Sequence, residues 1–258
     1  MELVEKIYIE DLSNAKIIQQ ALLPKERHFN RMFKSHFVVY IPQNMISGDF
    51  YWIGRKNELT YLVVGDCIGH GISAALLSVL ALNLFEYTIM NKGVKKTNKI
   101  LKEVNKKFIE SFKNTELQSF DTPWMELSIV CVDNKNNTLY FSSANRKLMH
   151  VTNDKEYIIY KGSNYPIGGW QIEVDRQFEA TSIQFNEGDK VYLGSDGLQD
   201  QIGGLENKKF TSKRLHDLLA KNSNLPFNIQ KNVVEEEFYK WKRNNDQFDD
   251  VCIVGVLL

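Results

Sequence analysis

The chain has 258 residues, 43% hydrophobic and 12% aromatic, enough for one sizeable core and not the composition of a disordered chain. Lys plus Arg and Asp plus Glu are 32 each, so a whole-chain basic footprint for nucleic acid is excluded. Three cysteines, Cys67, Cys131 and Cys252, are an odd number with no C-x-x-C pair, which argues against a disulfide framework or a zinc site. Reduced thiols and the lack of a secretory apolar region after Met1 give a cytoplasmic expectation.

In chain order, Val4, Tyr8, Leu12, Ala15, Ile18 and Leu22 step by three or four and predict a helix over 1–23, ended by Pro24. It reads as an N-terminal segment ahead of a domain spanning 24–258. Its apolar stripe suits packing on the domain or pairing with a second copy in a homodimer. Strands are expected over 36–41, 50–53 and 59–64. The apolar run 72–90 contains Ser73, Ser78, Asn83, Glu86 and Thr88, so it reads as a central buried helix and not as a membrane span. A second helix is expected to start with Thr97 as N-cap and to bury Leu101, Val104, Phe108 and Phe112. Short strands at 125–132, 138–142, 148–152 and 157–160 are spaced closely enough for antiparallel hairpins. Two more, 177–185 and 190–194, flank a turn at 186–189. Helices over 212–221 and 226–241, the latter with Pro226 in its first turn, precede a last strand over 251–257. The pattern is α+β: two antiparallel sheets with helices outside.

Aspartates recur where these strands end. Asp49 follows Gly48, Asp66 follows Gly65, Asp196 precedes Gly197, and Asp249 and Asp250 precede the final strand. Carboxylates gathered on one rim repel unless cations neutralise them. Mg²⁺ and Mn²⁺ take oxygen ligands, and two such ions about 3.5–4 Å apart can activate a water for attack on phosphorus. A lone Asp-Gly is more often only a turn.

Taken together, Ser47-Gly48-Asp49-Phe50-Tyr51-Trp52, Val64-Gly65-Asp66-Cys67-Ile68-Gly69-His70-Gly71, Ser195-Asp196-Gly197-Leu198 and Asp249-Asp250-Val251 resemble the SpoIIE-like branch of the metal-dependent (PPM, type 2C-like) protein phosphatases. The segment from Ile18 to Pro24 and the hairpin from Asn137 to Asn145 are similar to that branch as well, so the resemblance runs from about Ala15 to Leu258. It implies an αββα sandwich and a serine/threonine phosphatase using two cations, Mn²⁺ or Mg²⁺. It further implies Asp66 as the bridging ligand, the carbonyl of Cys67 beside it, and Asp49 as a ligand directly or through water. Asp196 and Asp249 would hold the second ion, with Asp250 as the alternative to Asp249. The substrate it implies is a phosphorylated regulatory protein such as an anti-sigma-factor antagonist. Trp52 departs from the branch, whose members often have an acid there. His70, four residues beyond Asp66, is a candidate for assisting the leaving group or for starting the long helix; the helix reading is preferred. Arg55 and Arg146 are candidates for a phosphate clamp.

Three rival readings differ in class. A catalytically silent phosphatase fold serving as a binding module in a partner-switching pathway is disfavoured by the intact aspartates. A nucleotide-binding enzyme is disfavoured because Gly65, Gly69 and Gly71 lack G-x-G-x-x-G spacing. A serine hydrolase using Ser195 lacks the first glycine of a nucleophile elbow.

Overall fold

The computed structural model describes residues 2–113, 122–170 and 175–258, with side chains from Glu5 onward. The helix α1 (Glu2–Leu22) and the short α2 (Glu26–Asn30) precede β1 (His36–Ile41), β2 (Asp49–Lys56) and β3 (Leu59–Cys67). Next come α3 (Ile72–Phe85), a π-helical turn over Glu86–Asn91, and α4 (Thr97–Ser111). The strands β4 (Trp124–Asp133), β5 (Thr138–Ala144), β6 (Lys147–Val151), β7 (Tyr157–Lys161), β8 (Ile167–Gly168), β9 (Thr181–Gln184) and β10 (Lys190–Gly194) follow. The chain closes with α5 (Gly197–Asp200), a small ribbon of β11 (Ile202–Gly203) and β12 (Lys208–Lys209), α6 (Ser212–Asn222), α7 (Phe227–Lys242) and β13 (Val251–Leu257).

Among the described residues, the strands form two large antiparallel sheets besides the β11–β12 ribbon. One has the order β1-β13-β10-β6-β7; the other has β2-β3-β4-β5-β9, with β8 added beside β4. The central strands are apolar on both faces because each sheet is covered on both sides. In β3, Leu62 and Val64 point between the sheets, while Tyr61 and Val63 point outward beneath α3 and α4. In β13, Cys252, Val254 and Val256 point inward, and Val251 and Ile253 pack against α6 and α7. Three apolar layers therefore alternate with two sheets, the αββα sandwich expected. Each fully buried Val, Leu or Phe in them contributes roughly 1.5–3 kcal/mol by leaving water.

Several boundaries move. The strands expected at 50–53 and 59–64 are longer, because pairing of β2 with β3 carries on from Lys56 opposite Leu59 to Asp49 opposite Asp66. Thr97 is not the N-cap of α4: Lys96 holds that position, and the Thr97 hydroxyl pairs with Ser142 Oγ at 2.8 Å. Pro226 stands at the N-cap of α7, one place before the first turn. Phe112 is only partly buried. The run Ile72–Asn91 is long and apolar enough to cross a membrane by composition, yet half of it is buried inside the molecule. In α1, Leu12 and Ala15 are partly buried, Tyr8, Ile18 and Leu22 are exposed, and the Val4 side chain lies outside the described residues.

One glycine shows how the fold gathers the aspartates. A Cβ on Gly197 would lie 1.9 Å from the carbonyl oxygen of Asp250. The start of α5 is thus pressed on the start of β13, and this contact sets Asp196 beside Asp249. The absence of a side chain at Gly197 thus serves the close approach of two chain segments. Gly197→Ala should lower unfolding free energy by roughly 1–3 kcal/mol through overpacking, read by chemical denaturation. A variant as stable as the parent would contradict this packing.

Candidate active site

The alternation that fills the space between the sheets runs on past the apolar residues and ends in acids. In β3 the inward series Leu62, Val64 arrives two residues later at Asp66. Opposite Asp66 stand Asp49 on β2 and Glu126 on β4. Three carboxylates therefore share one face of neighbouring strands, where opposed Cβ atoms are about 5 Å apart and like charges destabilise. From the other sheet, Asp196 lies two residues after the end of β10 and Asp249 two residues before the start of β13.

Arg146 faces this group, two residues before the inward Leu148 of β6. Its Nη2 lies 2.5 Å from Asp66 Oδ2, its Nη1 2.8 Å from Asp196 Oδ2, and its Nε 3.1 Å from Glu126 Oε2. The last is a charge contact without hydrogen-bond alignment. Among the described residues, no three His, Cys, Asp or Glu groups are disposed to hold one ion together, and a guanidinium stands among the carboxylates.

Burial and crowding show in the acidities. Burial pushes the Asp66 carboxyl up to about 8; Arg146 opposes the rise, while Asp196, Asp249 and Glu126 add to it. Asp49 is pushed well above the usual carboxylate range, first by burial and then by Asp66, against a hydrogen bond from Ser195. Asp249 is raised by burial, with the Asp250 N–H opposing and the charges of Asp196 and Asp250 adding.

The supports of these acids are explicit. The Ser195 hydroxyl donates to Asp49 Oδ2 at 2.5 Å and accepts from the Cys252 N–H at 2.9 Å. That hydroxyl is committed at both ends, which argues further against the nucleophile reading. Asp49 Oδ1 is buried and has no hydrogen-bond partner among the described residues. Asp250 is 3% exposed, and its two oxygens accept from the N–H groups of Gln43 at 2.6 Å and Gly48 at 2.7 Å. On the far side of that loop, Gln19 of α1 donates to Ser47 O at 2.6 Å and to Ser78 Oγ at 3.0 Å, and accepts from the Ser47 N–H at 3.1 Å. The segment leading into Asp49 is clamped from two directions.

Of the residues singled out from sequence, Asp49, Asp66, Asp196 and Asp249 come together on one rim. Asp250 is turned into the loop it holds. Cys67 sends its thiol into the core beneath α3, where burial pushes its acidity far from thiolate formation, so only its main chain borders the rim. His70 is exposed between Gly69 and Gly71, both at positive φ, and among the described residues no side-chain hydrogen bond or ion pair joins it to the acids. Trp52 donates to Glu86 Oε2 at 3.2 Å in the outer layer. Arg55 donates to Thr60 and to the Met32 carbonyl, among neighbours other than the acids. Glu126 and the supporting roles of Ser195 and Gln19 were not foreseen.

The raised carboxyls have a consequence for stability. Asp66 and Asp49 hold protons more tightly folded than unfolded. Their contribution is full below the unfolded carboxylate pKa of about 3.9 and is lost as pH rises through about 8 for Asp66. In chelator, the melting temperature should fall from pH 5 to pH 8, and Asp66→Asn should flatten much of that slope. Equal slopes for the two proteins would contradict the assignment.

Residues 56–257 match the family described as Stage II sporulation protein E (SpoIIE), a stretch that contains Asp66, Arg146, Asp196 and Asp249 and begins after Asp49. Phosphoserine phosphatase RsbP of Bacillus subtilis (strain 168) is 24% identical over 220 residues, 84% of this chain and 50% of RsbP, so the chain spans about half the length of that relative. The SiaA-PP2C domain of Pseudomonas aeruginosa superposes with a TM-score of 0.89 at 26% identity and covers all of both chains. The PP2C domain of SpoIIE from Bacillus subtilis, with a fragment of its regulatory domain, shares the fold at a TM-score of 0.65 and 22% identity, over 87% of this chain and 63% of that one. The sequence motifs, the sandwich and a match over most of the chain agree, and this chain belongs to the SpoIIE family of PPM-type serine/threonine phosphatases.

Proposed function

We propose that the chain hydrolyses phosphoserine or phosphothreonine in a regulatory protein, using two divalent cations, Mn²⁺ or Mg²⁺, held by Asp49, Asp66, Asp196 and Asp249 and the carbonyl of Cys67. The observation that carries this reading is the convergence of four aspartates from both sheets on one rim, with a buried oxygen of Asp49 that has no hydrogen-bond partner among the described residues. Such an oxygen-only donor set, rich in negative charge, fits a hard divalent cation. When bound, the cations supply an acidified water and neutralise charge on the phosphoryl oxygens.

The protein's own groups have separable tasks. Asp66, central in its row between Asp49 and Glu126, would be the ligand shared by the cations. Ser195 fixes the orientation of Asp49. Asp250 and Gln19 hold the loop that delivers Asp49 and Gly48. The substrate class follows from RsbP, whose name is that of a phosphoserine phosphatase; an anti-sigma-factor antagonist is the regulatory protein we propose. Free, buried cysteines suit the cytoplasm as the place of action.

A domain of residues 24–258 would carry the chemistry, with 1–23 as a dimerising segment. Ile7, Tyr8, Ile17, Ile18 and Leu22 are each about half exposed or more, and Leu76 of α3 is 65% exposed. A second copy would cover them. Removal of residues 1–22 should convert a dimer into a monomer by light scattering; the same mass with and without the segment would end that proposal.

Turnover of p-nitrophenyl phosphate and of a phosphoserine peptide should require Mn²⁺ or Mg²⁺, stop with EDTA, and fall roughly a hundredfold or more in Asp66→Asn with the fold retained. Full activity in EDTA or in that variant would overturn the mechanism. A folded protein that neither turns over substrate nor binds Mn²⁺ would favour the silent binding module.

Asp249 and Asp250 should separate cleanly. Asp249→Ala should weaken Mn²⁺ binding while melting, in chelator, no lower than the parent. Asp250→Ala leaves two loop N–H groups unpaired and should cost about 1–3 kcal/mol of stability for each that stays buried. The reverse pattern, read by calorimetry and denaturation, would exchange their assignments.

A further inference from the structure

A guanidinium lies where the carboxylates of two sheets meet. It contacts Asp66 and Asp196, one from each sheet, and touches Glu126 as well. Its side chain is 9% exposed, so its charge is little screened by water. Arginine stays protonated at any working pH, so no change of pH releases it; only a cation with a stronger claim on the same oxygens can.

We propose that Arg146 is an internal counter-cation competing with divalent ions for Asp66 and Asp196, so that ion binding at this rim is an exchange in which the guanidinium gives up those oxygens. The inference rests on the metal-dependent reading above and adds a residue that sets the affinity of the site. Arg146 acts here as a positioning residue: it keeps the repelling acids together and sets the threshold that an ion must exceed.

The surroundings allow the exchange without a change of backbone. The Arg146 carbonyl accepts from Ser143 Oγ at 2.6 Å, which anchors the main chain, so the side-chain torsions can carry the motion. Arg146 also lines a cleft of about 320 Å³ with Lys147, Gln199 and His216, which offers the displaced guanidinium a polar place beside the rim. Lys147 at that cleft is exposed.

The test is calorimetric titration with Mn²⁺ of the parent, Arg146→Ala and Arg146→Lys, with melting curves in EDTA and in Mn²⁺. Arg146→Ala should bind Mn²⁺ about tenfold tighter or more, the scale of one unit charge removed at this range. It should melt lower than the parent in EDTA and gain more from Mn²⁺; Arg146→Lys should fall between. Unchanged or weaker binding by a folded Arg146→Ala would overturn the inference and leave the metal-dependent reading intact. Absence of Mn²⁺ binding by the parent would overturn that reading and the inference with it. The parent alone gives a second readout: the arginine side-chain ¹⁵N resonance of Arg146 should shift on addition of Mg²⁺, and a resonance that stays in place while Mg²⁺ binds would also overturn the exchange.

Discussion

Repulsion among carboxylates held close together is the constraint around which this molecule is built. Asp49, Asp66 and Glu126 stand abreast on three paired strands, and Asp196 and Asp249 reach them from the opposing sheet. Left to themselves such groups would protonate or splay apart, and Asp49 and Asp66 are weakened as acids first by burial and then by the neighbouring carboxylates. Positive charge must be provided at the rim. The chain provides one guanidinium, and the reading offered for its function adds divalent cations. On the proposed reading, the same repulsion that makes the rim expensive to assemble would give it affinity for metal.

The scaffold bears that cost through packing elsewhere. Three apolar layers hold the two sheets in register, and register is what places Asp49 opposite Asp66 and Glu126. Local clamps then remove the remaining freedom. Ser195 ties one sheet's acid to the other sheet's backbone, and the carbonyl of Asp250 bears on Gly197. The loop before Asp49 hangs between Asp250 and Gln19, so a helix far along the chain from the other acids has a direct bond to the site's entrance. Through Gln19, α1 is hydrogen-bonded to the loop that leads into Asp49, one of the residues proposed to hold metal.

Much of this was legible in the residues alone. Asp49, Asp66 and Asp196 were conspicuous because each stands beside a glycine at the end of an apolar strand, and Asp249 because it stands just ahead of the last one; the motifs around them ordered the rest. The sandwich followed from close-set strands between helical stretches. What stayed hidden depends on partners across strands. Glu126 looks like an ordinary polar residue between Met125 and Leu127 until β4 is set against β3. Arg146 became the centre of the rim only once β6 was seen to point Leu148, and with it Arg146, inward. Ser195 read as a failed nucleophile because its partner, Asp49, lies far away in sequence. Extending the two-residue alternation of each strand past its last apolar residue would have found Glu126 on the inner face of one sheet and Arg146 and Ser195 on the inner face of the other. Helix caps were misjudged for a local reason: Thr97 had a better partner in Ser142 than in its own backbone.

The central claim is that the acidic rim is a site for paired divalent cations. It is tested most directly by a crystal structure of the Mn²⁺-loaded protein with anomalous difference maps collected at the manganese edge. The account predicts two peaks at the rim, both within coordination distance of Asp66, one also reaching Asp49 or the Cys67 carbonyl and the other Asp196 and Asp249. A rim without anomalous signal at saturating Mn²⁺, with Arg146 still bridging Asp66 and Asp196, would contradict it.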